Sequence, residues 1–327
     1  MVDAIAPYGL VLNARRLRWH FARALRKLAG RKRKSHADER VNEYRAYWEQ
    51  AAKTLCATFE PVWTGVWEIR RGAQRTRIAN DLVQIDDPVI LQLAGNKPYC
   101  CEVANRLGVP TAPHRLFRLG EVDAAWRFMA AHGGVFVVKP ASRSSSALGV
   151  TMHVRTRGEF ENAAALASLY SDNLMVELMV PAESCRLLYL DGELVDAVRR
   201  RGVRVVGDGR SSIRALLAHQ GLEHLRSDKA TRCTLEAQAL SPESRPAAGR
   251  EIVARYLPAA ERLTVELRTV YNERVTTLVC PQLNRSIARV VERIGSRFAG
   301  VDLLTNDPSV PLTESGGVFL ELNTTPS

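Results

Sequence analysis

The sequence predicts a mixed architecture of helices and strands, and three observations carry that reading. Short apolar runs bounded by turn residues alternate along the chain with segments of helical periodicity. Hydrophobic residues make up 46% of the 327 positions, enough for a large core that needs no disulfides to hold it. No apolar run approaches the roughly 20 residues of a membrane-crossing helix. At roughly 100–200 residues per domain, the length corresponds to two or three structural units. The same composition excludes a wholly disordered chain and a coiled-coil rod.

The first element is a basic helix. Leu17, Phe21, Leu25 and Leu28 fall on one face, with Arg15, Arg16, Arg18, Arg23, Arg26 and Lys27 mostly off it. Residues 1–37 hold ten bases and one acid, Asp3, so +9 of the formal +11 belongs to this tail and the remaining 290 residues carry +2. The nearly neutral body has none of the aromatic-interleaved basic strands that stack bases, which argues against a nucleic-acid partner. The tail fits either a helix docked on its own domain or a peripheral contact of residues 10–34 with an anionic membrane.

A second helix is expected over Asp38–Phe59, and a hairpin from Val62–Arg71 and Gln74–Ile78 around Arg71-Gly72-Ala73. Val89–Leu107 reads as one helix, broken by Gly108-Val109-Pro110. Three units follow from these boundaries: a basic tail over 1–37, a helix and hairpin region over 38–93, and the main domain over 94–327. Within the last, strands are expected at Val135–Val138, Leu174–Val180, Arg186–Leu190, Glu193–Arg199, Val301–Leu304 and Val318–Leu322. Helices are expected at Glu159–Leu169, Ser211–Gln220 and Ser286–Phe298, and Asp191-Gly192 is a hairpin turn. Six cysteines without a C-x-x-C pair speak against a structural zinc site and for a reducing cytoplasm.

Three stretches carry chemistry. In Val318–Asn323, strict alternation puts Val318, Leu320 and Leu322 on one face and Glu321 and Asn323 on the other. If Val301–Leu304 pairs with this strand, Asp302 joins them, a set of hard oxygen ligands suited to Mg²⁺. An exposed polar strand face would show the same letters. Lys139 ends an apolar strand and leads into a loop with Ser142, Ser144, Ser145, Ser146 and Gly149, which could cradle phosphates or be a linker. Neither a Walker P-loop nor a G-x-G-x-x-G is present. Val176–Val180 can present its backbone to a base or be a plain strand.

In order and spacing these stretches resemble the ATP-grasp carboxylate–amine ligases, most of all the ATP-grasp part of cyanophycin synthetases, and more distantly glutathione synthetases and D-alanine–D-alanine ligases. The matching motifs are Asn96-Lys97-Pro98, Val137–Pro140, Val176-Glu177, Arg186–Gly192, Val205–Ile213, Ala299–Asp302 and Glu321–Asn323, within about Ala94 to Ser327. The resemblance implies an α+β ATP-grasp fold with a short atypical N-terminal region. It implies that Lys97 and Lys139 hold ATP phosphates beneath a covering loop with Ser144, Ser145 and Ser146. Glu177 and Val180 would contact adenine, and Asp302, Glu321 and Asn323 would bind two Mg²⁺ ions with Glu321 between them. Lys139, Arg186 and Arg200 would serve the reaction at the phosphates or an anionic substrate.

The chain departs from the family where the ribose-binding acid aligns with Ser184, leaving Glu183 as the replacement, and Arg250–Arg255 matches the family's arginine motif only loosely. The implied reaction joins a small carboxylate to an amine, an amino acid or a peptide, through an acyl phosphate with release of ADP and phosphate. A weakly active scaffold that binds a partner or membrane through its tail, and an ATP-grasp phosphotransferase, are the alternatives. A homodimer is compatible with all of them.

Overall fold

The computed structural model describes residues 12–21, 36–80, 82–141, 149–256 and 272–324. Leu25, Leu28, the Arg31–Lys34 run and the serines at 142 and 144–146 lie outside the described residues. The fold is α+β, with helices packed on antiparallel sheets.

Helix α1 covers residues 12–21. Its contact with the body differs from the sequence expectation. Leu12 is buried in the core beside Phe117 and Phe160, and Arg15 donates to the Gly158 carbonyl (2.9 Å) and pairs with Glu161 (3.4 Å). Leu17 and Phe21, the expected docking stripe, are instead 72% and 67% exposed. The helix is held by its first turn, and that turns the Leu17–Phe21 side outward.

Helix α2 (His36–Thr54) ends before the expected Phe59, because residues from Thr58 enter a sheet. That sheet is a meander of β1 (Thr58–Trp63), β2 (Val66–Arg71), β3 (Gln74–Ala79) and β4 (Leu82–Val83). The expected long strand Val62–Arg71 is two strands folded at Thr64-Gly65, where Gly65 takes φ +75°. The expected helix Val89–Leu107 is likewise two, α3 (Pro88–Ala94) and α4 (Lys97–Arg106). Asn96 accepts from the Tyr99 N–H as the cap of α4, and Pro98 occupies its first turn.

The middle of the chain builds the sheet β5-β8-β6-β7 from β5 (His114–Phe117), β6 (Phe136–Pro140), β7 (Thr151–Val154) and β8 (Leu174–Leu178). Helices α5 (Val122–His132) and α6 (Arg157–Ala167) cover one face, closing a core of Phe117, Phe136, Val138, Phe160, Leu174 and Val176. A capping box of Thr156 and Glu159 starts α6.

The five-stranded sheet β13-β10-β9-β14-β15 is formed by β9 (Ser184–Leu190), β10 (Glu193–Arg200), β13 (Asn272–Arg274), β14 (Phe298–Leu304) and β15 (Val318–Asn323). Asp191 and Gly192 turn β9 into β10 with φ +49° and +84°. Helices α4 and α9 (Pro281–Ile294) close its core with Leu187, Tyr189, Val301, Leu303, Phe319 and Leu322. Helix α9 starts five residues before the expected Ser286, with Cys280 as cap and Pro281 in its first turn, and Gly295 stops it in the left-handed conformation.

A ribbon of β11 (Val203–Val206) and β12 (Glu251–Arg255) carries α7 (Ile213–His219) and α8 (Lys229–Glu236) on a third small core. The short α10 (Leu312–Ser315) lies in the connection from β14 to β15.

Candidate active site

The site forms where the β5-β8-β6-β7 sheet meets the β9–β14–β15 strands, with the first turn of α4 between them. Register explains which side chains arrive. Glu177 stands opposite Val137, and Lys139 opposite Met175, so Lys139 and Glu177 are diagonal neighbours on one face. The opposite face is the one buried under α5 and α6. Lys139 Nζ lies 3.0 and 3.1 Å from the two Glu177 oxygens, and each side chain is 6% exposed.

Asp302 faces Glu321 across the β14–β15 hairpin, Gly300 faces Asn323, and Arg186 of β9 faces Asp302 from the other side. Asp302, Glu321 and Asn323 therefore share one face, as the spacing predicted. The apolar alternation expected on β15 is corrected by a β-bulge. The register steps from Asp302↔Glu321 to Leu303↔Phe319, leaving Leu320 as the extra residue. Phe319 and Leu322 both enter the core, while Val318 shares the face of Asp302 rather than that of Leu322.

Arg186 holds Asp302 with two parallel bonds, Nε to Oδ1 at 2.7 Å and Nη2 to Oδ2 at 2.8 Å. Lys97 Nζ lies 2.6 Å from Glu321 Oε2. The Asn323 amide donates to Asp302 (3.2 Å) and Glu321 (3.5 Å). Lys139 feels the charge of Glu321 as well as that of Glu177. Three acids and three bases thus interleave in one charge-balanced cluster.

Burial works to raise the Glu321 carboxyl, but Lys97, Lys139 and the Asn323 amide outweigh it and hold it at about 2. Burial works against the charged form of Lys139, and Glu177 and Glu321 overcome it, so Lys139 stays an ammonium. Beneath the cluster, burial pushes the thiols of Cys100 and Cys101 up to about 12, which leaves them neutral and inert.

The donor set fits a hard divalent cation. Two carboxylates share a face with the Asn323 amide, which turns its nitrogen to both and would offer its oxygen as a third hard donor on a flip, and Glu321 keeps 20% of its side chain exposed. Arg200, opposite Ser184, lies on the sheet face of Arg186 and Asp302, displaced along the strand.

Val180 follows β8, and its carbonyl accepts from the Ala182 N–H at 3.0 Å. Glu183 is 1% exposed, bonded by the Gly202 N–H (3.0 Å) and Arg204 (2.6 Å). At that burial it presents no open face to a ribose hydroxyl. The described residues resume at Gly149, beyond the serines. There φ is +75° and a Cβ would stand 2.7 Å from the Tyr170 ring, so glycine is required. The ion-pair partners of Lys97 and Arg186 have no local sequence signal, because each acid lies far along the chain from its base.

No protein-family model matches the chain. It is 27% identical over 249 residues to a cyanophycin synthetase of Trichormus variabilis, covering 72% of this chain and 27% of that one. To the cyanophycin synthetase of Geminocystis herdmanii it is 30% identical over 203 residues, covering 59% and 23%. A D-alanine–D-alanine ligase of Gloeobacter violaceus is 31% identical over 121 residues, covering 36% and 38%. The chain is thus similar to cyanophycin synthetases and to a D-alanine–D-alanine ligase. It spans about a quarter of the length of the cyanophycin synthetases it matches. The bifunctional glutathione synthetase of Pasteurella multocida superposes with a TM-score of 0.46 at 21% identity, covering 83% of this chain and 38% of that one.

Proposed function

We propose that this chain is an ATP- and Mg²⁺-dependent ligase of the ATP-grasp family. It activates a small carboxylate as an acyl phosphate and joins it to an amine, an amino acid or peptide, releasing ADP and phosphate. The observation that carries the reading is the convergence of Asp302, Glu321 and Asn323 on one sheet face, with the Asn323 amide within 3.5 Å of both carboxylates, beside Lys97 and close to Lys139.

In this reading Asp302, Glu321 and Asn323 hold Mg²⁺, which supplies neutralising charge at the phosphate oxygens. Lys139 and Lys97 hold phosphates as point charges. Glu177 fixes Lys139 and, with Val180, borders the adenine. Arg186 and Arg200 stabilise charge on the transferred group or on an anionic substrate. The serines at 144–146 close over the phosphates. A protein nucleophile is not needed, since the carboxylate and the amine both come from substrates.

Incubation with ATP, Mg²⁺ and pools of amino acids, with nucleotide products separated and new amides weighed, tests the proposal. Amide formation with stoichiometric ADP supports it. ADP release without a new amide would favour the phosphotransferase or scaffold alternative.

We also propose that the basic segment touches an anionic lipid surface. The outward exposure of Leu17 and Phe21 on an arginine-bearing helix supports this. All six cysteines are free, which favours a reducing compartment, and we propose the cytoplasm.

A further inference from the structure

Both carboxylates of the candidate metal site are already neutralised by bases of the same chain. Both oxygens of Asp302 are taken by Arg186, and Glu321 is taken by Lys97. The side chain of Asp302 is 1% exposed and that of Arg186 21%, so the guanidinium lies between the acid and solvent. Lys97, on the first turn of α4, is 14% exposed and stands beside the outer edge of Glu321.

We infer that Lys97 and Arg186 are resident counter-cations of the metal ligands, and that nucleotide binding exchanges them for the divalent cation. The inference rests on the reading of Asp302, Glu321 and Asn323 as metal ligands and adds how the site is controlled. With both bases in place, a divalent ion would enter a pair of carboxylates whose charge is already cancelled, and it would be repelled. The bases do not simply leave either, because each would lose the ion pair that offsets its desolvation in a partly buried site. ATP or ADP brings the missing anions. Its phosphates receive Lys97 and Arg186, the carboxylates turn to the metal, and the Asn323 amide rotates its oxygen inward. Metal and nucleotide then bind with positive cooperativity, each raising the affinity of the other by the same factor.

The test measures Mn²⁺ binding to the whole protein by water-proton relaxation, which reports the protein-bound ion. It compares the protein alone and with saturating ADP, in wild type, Lys97→Met and Lys97→Gln. Lys97 is partly exposed, and thermal melts check that both variants fold. Wild-type protein should bind Mn²⁺ about tenfold or more weakly without ADP than with it. The two variants, with Glu321 uncompensated, should bind Mn²⁺ about tenfold more tightly than wild type in the absence of ADP, so that the gap narrows. Equal Mn²⁺ affinity of wild type and both variants without ADP, alongside normal binding with ADP, would overturn the exchange while leaving the metal site standing. Failure of the ADP-loaded wild type to bind Mn²⁺ at all would overturn the metal assignment, and the exchange with it.

Discussion

Asp302 and Glu321 are direct cross-strand partners in the β14–β15 hairpin, and each is held by a different base, Arg186 and Lys97. Two like charges on adjacent strands repel, so the pair is tolerable only because four charges meet there rather than two.

Replacing Glu321 by alanine should abolish ATP turnover while the protein still folds. The side chain is partly exposed and on the site face, so its loss opens no core cavity. ADP release and thermal unfolding of both proteins check this, and wild-type turnover in the variant would reject the role.

Glu321 also predicts an acid dependence. Its carboxyl titrates at about 2 in the fold, below its ordinary 4.5. A depressed folded value means that the contribution to stability is complete above about pH 4.5 and is lost as pH falls toward 2. Melting temperatures of wild type and Glu321→Gln between pH 6 and 2 should show a shallower fall for the variant. Parallel curves would contradict the assignment.

Lys139 and Glu177 form a buried pair, and removing one partner leaves a stranded charge. Lys139→Met should destabilise by about 3–5 kcal/mol. The double variant Lys139→Met/Glu177→Leu should recover much of that loss while remaining inactive. Denaturant unfolding of the three proteins measures it, and a double variant no better than the single one would show that packing, not charge, dominates.

The outward face of α1 makes a milder test of lipid contact than deletion of the tail, since Leu12 and Arg15 anchor the helix to the body. Leu17→Ser/Phe21→Ser should leave the melting temperature unchanged and reduce co-sedimentation with anionic vesicles. Binding by wild type should weaken in high salt, because each basic side chain near the surface adds about 1 kcal/mol that salt screens. Equal binding by both proteins would remove the apolar pair from the contact.

The product nucleotide should be ADP, because an acyl-phosphate route cleaves the terminal phosphoryl bond. Stoichiometric AMP in a nucleotide separation would exclude the route.

Much of the site was legible because its residues follow strand alternation. Glu321 and Asn323 are two apart, Asp302 sits mid-strand, and Lys139 ends a strand of four apolar residues. The hairpin at Asp191-Gly192 was legible from its turn chemistry. Breaks inside apolar stretches were harder. Gly95-Asn96 interrupts a helical pattern that stays in phase on both sides, and only Asn96 with Pro98 signals a new cap. Helix α5 went unread although Val122, Ala125 and Met129 have helical spacing, and β5 buries only Phe117 and offers little pattern. Ion-pair partners were not legible, since register across strands decides them and local spacing does not.

Leu320 has a consequence for how the end of the chain can vary. As an extra residue it would upset two demands on one strand, that Phe319 point inward and that Glu321 stand against Asp302, and bulging it out of the ladder meets both. With Leu320 kept and the bulge closed, Phe319 and Glu321 would share a face, and the strand would have to give up either Phe319 to solvent or Glu321 to the core; deleting Leu320 instead restores plain alternation with both kept. The bulge, not the Leu320 side chain, is what this strand needs, so a shortened strand should keep the site where a straightened one would not.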